Sequence, residues 1–131
     1  MNKIESIARS RISSVMPGFT VGDMNRAVDF YEGRLGFHVT FRNGAVFTIV
    51  SRDGIEISLA LDHTGAAGKG ACYFKLDGID AIHDEFLAKG AVMTHPLRTE
   101  SYGMREFMIT DPDGNTLNFG ELVRGHGQDG G

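Results

Sequence analysis

The strongest constraint on the fold is an order of elements that occurs twice along this 131-residue chain. In each half, a short strand pattern leads into an amphipathic helix, and three further strand patterns follow. The first half spans residues 13–62 and the second spans residues 71–123, with a Gly- and Ala-rich linker over residues 63–70 between them. Because the same order is hard to obtain twice by chance, it predicts a duplicated βαβββ module.

In the first half, residues 16–22 form a strand pattern, and Asp23 stands where a helix N-cap is expected. Apolar residues follow at helical spacing, and Gly36 is placed to end the helix. The next strand patterns are separated by Asn-Gly and Asp-Gly pairs, which are strong hairpin signals. These patterns cover residues 37–41, 45–51 and 55–61.

The second half repeats this order, with a strand pattern over residues 72–76 and a helix that Asp77 or Gly78 caps and Gly90 ends. Pro112 presets the turn in Asp-Pro-Asp-Gly-Asn, which should join the last two strands as a hairpin. The strand patterns cover residues 91–94, 104–110 and 116–122. We therefore predict a single α+β domain whose two βαβββ modules form a curved mixed sheet with helices on its outer face.

Alternation along the strand patterns separates an apolar face from a polar one. Five residues with polar, small or flexible side chains lie on the face opposite the apolar rows: Glu56, Ser58, Glu106, Met108 and Asn118. The two helices can cover the apolar rows. The other face then has two possible roles, since it can wall a ligand cavity or simply face water.

Composition excludes several classes of function. The net charge is −4 and no basic stripe is present, which argues against nucleic-acid binding and against anionic membrane surfaces. Charged residues within 1–12 leave no room for a signal-peptide core, and no apolar run is long enough to span a membrane. Cys72 is the sole cysteine, so an internal disulfide is excluded. We expect a cytoplasmic protein.

Two stretches carry a resemblance to a known family. Residues 19–37 run from a strand and an Asp cap through Phe-Tyr to Leu-Gly-Phe, and residues 102–119 place Tyr-Gly-Met-Arg-Glu-Phe before Asp-Pro-Asp-Gly-Asn. These stretches resemble the opening and the closing hairpin of the glyoxalase/bleomycin resistance protein/dioxygenase superfamily, also called vicinal oxygen chelate proteins. The closing stretch is most similar to the bleomycin-resistance branch. The resemblance covers residues 13–123.

The resemblance also raises the question of a metal, because enzymes of this superfamily hold one divalent ion with His, Gln or Glu. The ligand positions that it transfers fall on Met16, Ala71 and Asn118, with a fourth on or near Glu56. Met and Ala do not serve a hard divalent ion, and Asn offers only a neutral oxygen. We therefore predict no metal, no cofactor and no assigned catalytic residue.

What the resemblance then implies is a homodimer that binds a small molecule in a cup-shaped, metal-free site and sequesters a drug or metabolite, as in antibiotic resistance. Residues 1–12 would be an arm packed on the partner or a frayed terminus, and residues 124–131 a flexible tail. Two alternatives stay open. One is a metal-dependent lyase or dioxygenase, which requires Glu56, Glu121 and His38 to converge. The other is an accessory module without a pocket.

Six residues are the predicted ligand contacts. Tyr102 lies in the loop before the closing hairpin, where the family often has a ligand-stacking aromatic, although it could equally cover the core. Glu56 could meet a cationic group or act as a general base, or it could be an ordinary solvated residue. Polar partners on the same face could supply directional hydrogen bonds. The full set is Tyr102, Glu56, Ser58, Asn118, Glu106 and Met108.

Overall fold

The computed structural model describes residues 9–123 of the chain. Of the predicted N-terminal arm, residues 1–8 lie outside this part, and so does the predicted tail over 124–131. No helix within the described part is both long enough and apolar enough to cross a bilayer. The elements follow the order β1 (Gly18–Val21), α1 (Met24–Gly33), β2 (His38–Asn43), β3 (Phe47–Arg52), β4 (Ile55–Leu61), β5 (Ala71–Lys75), α2 (Ile79–Ala88), β6 (Met93–Thr99), β7 (Met104–Thr110) and β8 (Thr116–Leu122).

Each module forms its own four-stranded mixed sheet. The strand order is β1-β4-β3-β2 in the first sheet and β5-β8-β7-β6 in the second. In both sheets the first strand of the module pairs in parallel with the last, and the other pairs are antiparallel. The predicted α+β architecture of two βαβββ modules with two helices is confirmed, and the mixed sheet is built as two separate sheets.

The core lies between each helix and its own sheet. Helix α1 packs against β2, β3 and β4, whereas α2 packs against β6, β7 and β8. The predicted apolar rows point inward, as shown by the buried side chains of Ile57, Leu59, Phe107, Ile109, Leu117 and Phe119. Ile55 departs from its row because it begins β4 next to a turn, and its side chain is 48% exposed.

The two helices begin in different ways. Asp23 caps α1, and its carboxylate accepts a hydrogen bond from the Arg26 amide at 3.0 Å, as its N-cap position predicts. Gly78 is the N-cap of α2 and has no side chain to offer. The carboxylate of Glu121 on β8 replaces it and accepts from the amides of Gly78 at 3.2 Å and Ile79 at 2.9 Å. The sheet therefore caps the helix that covers it.

The Asp-Pro-Asp-Gly-Asn turn connects the second module to the first. The buried Tyr31 hydroxyl on α1 donates to the Asp111 carboxylate at 2.9 Å. The Asn115 amide donates to the Thr20 carbonyl at 2.9 Å, and the Gly22 amide donates to the Asp113 carboxylate at 2.9 Å. A turn that sequence predicts as a local hairpin thus also fixes the position of the first module.

Strand β6 differs from its prediction. The pattern over residues 91–94 predicts a short strand, whereas β6 runs over Met93–Thr99 and includes Pro96. Proline is tolerated there because β6 is the outermost strand of its sheet, and the pairing with β7 shifts register twice around it. This extension brings His95 and Arg98 into the sheet.

Candidate functional site

The polar side chains of the second sheet gather on the side away from α2, which we call the open face of the second module. In the strand register, Arg98 pairs with Glu106 and Met108 pairs with Asn118, so these four residues share that face. A cavity of about 130 Å³ opens there. Its lining includes His95, Arg98, Glu100, Glu106, Met108 and Asn118.

Two tyrosine hydroxyls donate to the same carboxylate on this face. Tyr73, on β5, donates to Oε2 of Glu106 at 2.5 Å. Tyr102, in the loop before β7, donates to Oε1 of Glu106. The Tyr73 side chain is 41% exposed and that of Tyr102 is 64% exposed, so both rings remain accessible to a ligand.

The pKa values of both phenols are raised. The hydrogen bond to Glu106 is the main cause for Tyr102 and raises its pKa to about 12. For Tyr73 the pKa rises chiefly because burial disfavours the phenolate, and the hydrogen bond to Glu106 adds to this. Both phenols therefore keep their protons at neutral pH and act as donors to Glu106.

Gly120 provides the space that Tyr73 occupies. It pairs with Glu106 in the β7–β8 register. A Cβ atom at position 120 would lie 1.9 Å from the Tyr73 hydroxyl oxygen and 2.7 Å from its ring Cζ. Tyr73 can cross β8 and reach Glu106 only because residue 120 lacks a side chain.

The charges around Glu106 are unbalanced. Its neighbour Arg98 donates from Nε to the Glu100 carboxylate at 2.6 Å, which is the main cause of its raised pKa, and the charge of Glu106 adds only weakly to that rise. Within residues 9–123, Glu106 has no Lys, Arg or His nitrogen within 4.0 Å. The cavity lining thus sets one guanidinium against two carboxylates.

The structure brings together four of the six predicted ligand contacts. Glu106, Met108 and Asn118 line the cavity, and the Tyr102 hydroxyl donates a hydrogen bond to Glu106. Glu56 and Ser58 lie on β4 of the first sheet. The six predicted ligand contacts therefore lie on two different sheets.

The first sheet has an open face of different character. Ile49 pairs with Phe41 on one side and with Ser58 on the other, so these residues point the same way. Phe47 is two residues from Ile49 on the same strand, and its ring centroid lies 6.3 Å from that of Phe41. Phe41 is 52% exposed. The open face of the first module, defined by Phe41, Phe47, Ile49 and Ser58, is therefore mainly apolar.

A second cavity, of about 530 Å³, runs along β5 between the two modules. Its walls are mostly apolar and include Phe74, Phe86 and Phe119. Its one arginine, Arg52, is already held by Glu85. The Cys72 thiol also lines it, and burial raises the pKa of that thiol, which keeps it protonated. Asp53, Lys75 and Asp77 also line it, but it has no carboxylate that two tyrosine hydroxyls hold, as they hold Glu106 on the open face of the second module.

Sequence reasoning missed four residues of this face. Tyr73 had a usable signal, because alternation places it opposite Cys72 and Phe74. His95 and Arg98 had none, since the register shifts of β6 break the alternation that would assign their faces. The role of Gly120 depends on a contact between three strands, so its local sequence does not reveal it.

The donor set that the superfamily resemblance transfers does not fit a divalent ion. Met16 and Ala71 supply no oxygen or imidazole side chain, and the Asn118 amide nitrogen donates to the Cys72 carbonyl at 3.5 Å. Glu121 is engaged at the start of α2, which removes it from the alternative set with Glu56 and His38. Across the described residues, no three His, Cys, Asp or Glu side chains converge in an arrangement suited to a metal.

Comparison with known proteins identifies relatives that are named bleomycin resistance proteins. The bleomycin resistance protein of Geobacillus stearothermophilus is 26% identical over 130 residues, covering 83% of this chain and 96% of the relative. The bleomycin resistance protein of Staphylococcus aureus matches with the same identity and coverage. Both relatives are named for bleomycin resistance, and this is the branch of the superfamily that residues 102–119 resemble.

Solved structures and a family model agree with these relatives. The bleomycin-binding protein of Streptomyces verticillus, complexed with copper(II)-bleomycin, has 26% identity and a TM-score of 0.73, covering 84% of this chain and 96% of that one. A glyoxalase/bleomycin resistance protein from Catenulispora acidiphila shares the fold at 24% identity, with a TM-score of 0.72 and coverage of 83% and 97%. The family model matches residues 11–119. This chain therefore belongs to the glyoxalase/bleomycin resistance protein/dioxygenase superfamily.

Proposed function

We propose that this protein binds a small molecule on the open face of the second module and sequesters it, in the manner of a bleomycin resistance protein. The observation that carries the proposal is Glu106, held by Tyr73 and Tyr102 beside the cavity. A few polar groups converging beside apolar surface are typical of ligand sites. The relatives named for bleomycin resistance, and the relative complexed with copper(II)-bleomycin, support a drug of that type.

Each proposed contact has a distinct chemical role. Glu106 supplies a carboxylate and Asn118 an amide, which can both donate and accept. Met108 supplies a polarisable apolar surface. Tyr102 supplies a ring that can stack on a planar ligand. Such a set binds and orients a ligand without requiring a reaction.

A homodimer would enlarge the small cavity on the open face of the second module. A volume of about 130 Å³ is smaller than the roughly 300–1,000 Å³ of sites for drug-sized molecules. A second wall would enlarge it, and the open face of the first module, with its exposed Phe41, offers one from another copy of the chain. We propose that arrangement, in which Glu56 and Ser58 of one protomer join the site of its partner.

We propose that the protein acts in the cytoplasm, where it would hold the drug away from the drug's intracellular target. The free thiol of Cys72 is compatible with a reducing environment. Expression of the chain in a drug-sensitive bacterium tests both the compartment and the resistance. We expect increased survival on bleomycin, with the protein recovered from the cytoplasmic fraction.

Isothermal titration calorimetry with metal-free and copper-loaded bleomycin tests the binding. We expect one drug molecule per chain, and weaker binding by about tenfold or more after Asn118→Ala, because a directional contact is lost. Glu32→Gln, on the exposed side of α1, is the control and should bind like the wild type. Absence of binding by either form of the drug, together with unchanged sensitivity of the host, would contradict the drug version of the proposal.

Analytical ultracentrifugation tests the dimer. The double variant Phe41→Ser, Phe47→Ser removes the apolar face that would pack on the partner, and we expect it to sediment as a monomer and to lose drug binding. Val92→Ser changes another exposed apolar residue, 74% exposed on the loop after α2, and should leave the dimer intact. A wild-type monomer that still binds the drug would exclude the shared site.

A further inference from the structure

We infer that Glu106, flanked by Tyr73 and Tyr102, selects an organic cation such as an ammonium or guanidinium group, and that Gly120 sets this selectivity by admitting the Tyr73 ring. The inference rests on the proposed function and deepens it, since it states which charge the site requires.

The charges that line the cavity favour a cationic ligand. Of the charged groups lining the cavity, Arg98 is in direct contact with Glu100 at 2.6 Å, and the charge of Glu106 acts on it only as a weaker, more distant influence. Glu106 remains without a cationic partner within 4.0 Å among residues 9–123. A cation supplied by a ligand would give Glu106 a partner in direct contact, whereas an anion would be repelled by the carboxylate.

The Glu106 carboxylate can accept more hydrogen bonds than the two phenols donate. A carboxylate has about four acceptor positions, and the two phenols use one on each oxygen of Glu106. Acceptor positions therefore remain for the N–H groups of an ammonium or guanidinium. The phenols hold the carboxylate in one orientation before the ligand arrives, which lowers the entropy cost of binding.

The two tyrosine rings beside Glu106 also favour a cation. Tyr73 and Tyr102 approach the same carboxylate from β5 and from the loop before β7, and both rings are partly exposed. Aromatic faces attract cations through their quadrupole, and this adds to the attraction of a carboxylate beside them. A neutral ligand would gain only the apolar part of that contact.

Gly120 controls the geometry of this element. Any Cβ at that position would overlap the Tyr73 hydroxyl at 1.9 Å, so Gly120→Ala must displace the phenol from Glu106. The charge of Glu106 is retained in that variant. Gly120 is therefore a positioning residue, and its substitution separates the contribution of the ring from that of the carboxylate.

Three probes of similar size test the inference: benzylammonium, benzyl alcohol and phenylacetate, which are cationic, neutral and anionic at neutral pH. Their binding is followed by ¹H–¹⁵N NMR, which reports weak binding and confirms that each variant is folded. We expect benzylammonium to shift amides of β5, β7 and β8 and to bind about tenfold more tightly than the other two probes.

Variants define the cause of that preference. We expect Glu106→Gln to abolish the preference and Gly120→Ala to reduce it about threefold, with Tyr73→Leu giving the same reduction without a steric clash. Glu32→Gln removes a negative charge elsewhere on the surface and should keep the full preference. Equal affinities for the three probes, no shift from any of them, or a preference that survives Glu106→Gln would overturn the inference.

Bleomycin titrated into the same samples separates the two proposals. Drug binding without a preference for benzylammonium would sustain the proposed function and overturn this inference. A preference for benzylammonium that depends on Glu106, without drug binding, would sustain the inference and overturn the drug version of the function.

Discussion

Arg52 and Glu85 form two parallel hydrogen bonds, of 2.7 and 2.8 Å, across the boundary between the modules. Arg52 ends β3 of the first module, and Glu85 lies on α2 of the second. The same guanidinium donates to the Leu35 carbonyl at 2.7 Å and lies 5.6 Å from the centroid of the Phe86 ring. One side chain thus joins a strand, the end of a helix and the core of the neighbouring module.

This pair predicts how stability depends on pH. The hydrogen bond from Arg52 lowers the pKa of Glu85 to about 2, and Lys89 adds to the effect. Because the carboxyl titrates near 4.3 in an unfolded chain, its stabilisation is complete above about pH 5 and is lost as the pH falls toward 2. We expect Glu85 to contribute roughly 1–2 kcal/mol to that loss, after allowance for solvent screening of a pair that is about one-third exposed.

Urea denaturation at several pH values between about 2.5 and 6 measures this contribution. Glu85→Gln should lower the free energy of unfolding at pH 6 and flatten its decline at acid pH. Glu32→Gln is the matched control on an exposed helix position and should follow the wild-type curve. Identical acid dependence of the wild type and Glu85→Gln would show that the pair contributes nothing.

Two glycines of the linker give a matched test of backbone crowding. Gly65 and Gly68 have nearly equal φ angles of +84° and +85°. A Cβ at Gly65 would meet nothing within 4 Å, whereas one at Gly68 would lie 1.7 Å from the Asp113 carbonyl oxygen. We expect Gly65→Ala to lower the free energy of unfolding by about 1 kcal/mol, which is the cost of placing alanine in a left-handed backbone conformation. Gly68→Ala should cost roughly 3 kcal/mol or more, because one backbone segment must move. Thermal and urea unfolding measure both, and equal costs would contradict the close approach of linker and turn.

The buried hydrogen bond between Tyr31 and Asp111 predicts a loss of stability in Tyr31→Phe. The substitution keeps the ring and removes the donor, which leaves Asp111 with one fewer partner. We expect a loss of about 1.5–3 kcal/mol, as for a hydrogen bond to a charged group. Tyr102→Phe removes an exposed hydroxyl and should change the free energy of unfolding by less than about 0.5 kcal/mol. Urea denaturation of both variants measures their losses of stability, and equal losses would contradict a special role for the Tyr31 hydroxyl.

Phenol titration tests the Glu106 cluster without any ligand. The pKa of each of the three tyrosines is raised, that of Tyr31 chiefly by burial and that of Tyr102 by its hydrogen bond to Glu106. We therefore expect little phenolate absorbance at about pH 10.5, where a free tyrosine is largely ionised. Glu106→Gln should release phenolate at that pH, because it removes the charge that opposes ionisation. Glu32→Gln should not, and an unchanged titration of Glu106→Gln would contradict the cluster.

Local signals were sufficient to predict the order of elements. Asp23, Gly36 and the Asp-Pro-Asp-Gly-Asn turn act through their own backbone, so their roles can be read from neighbouring residues. Alternation likewise placed Glu106, Met108 and Asn118 on one face. The division of the predicted contacts between two sheets was not predictable, since the placement of Glu56 relative to Glu106 depends on how the modules pack.

The hydrogen bond from Tyr73 to Glu106 could not be predicted from the sequence. Its hydroxyl crosses β8 to reach β7, so the contact requires the registers of three strands together with a glycine at position 120. The bulged pairing of β6 shows the same dependence, because irregular register removes the period on which face assignment relies. Tertiary geometry, rather than any local pattern, determines both features.

Pro96 restricts how the second sheet can associate with other chains. It lies on the outermost strand, lacks an amide hydrogen and is flanked by shifts in register. A strand from another chain would meet an interrupted row of backbone donors at this edge, and such interruptions protect sheets against edge-to-edge aggregation. The β6 edge is therefore a poorer site for pairing with another strand than the opposite edge at β5.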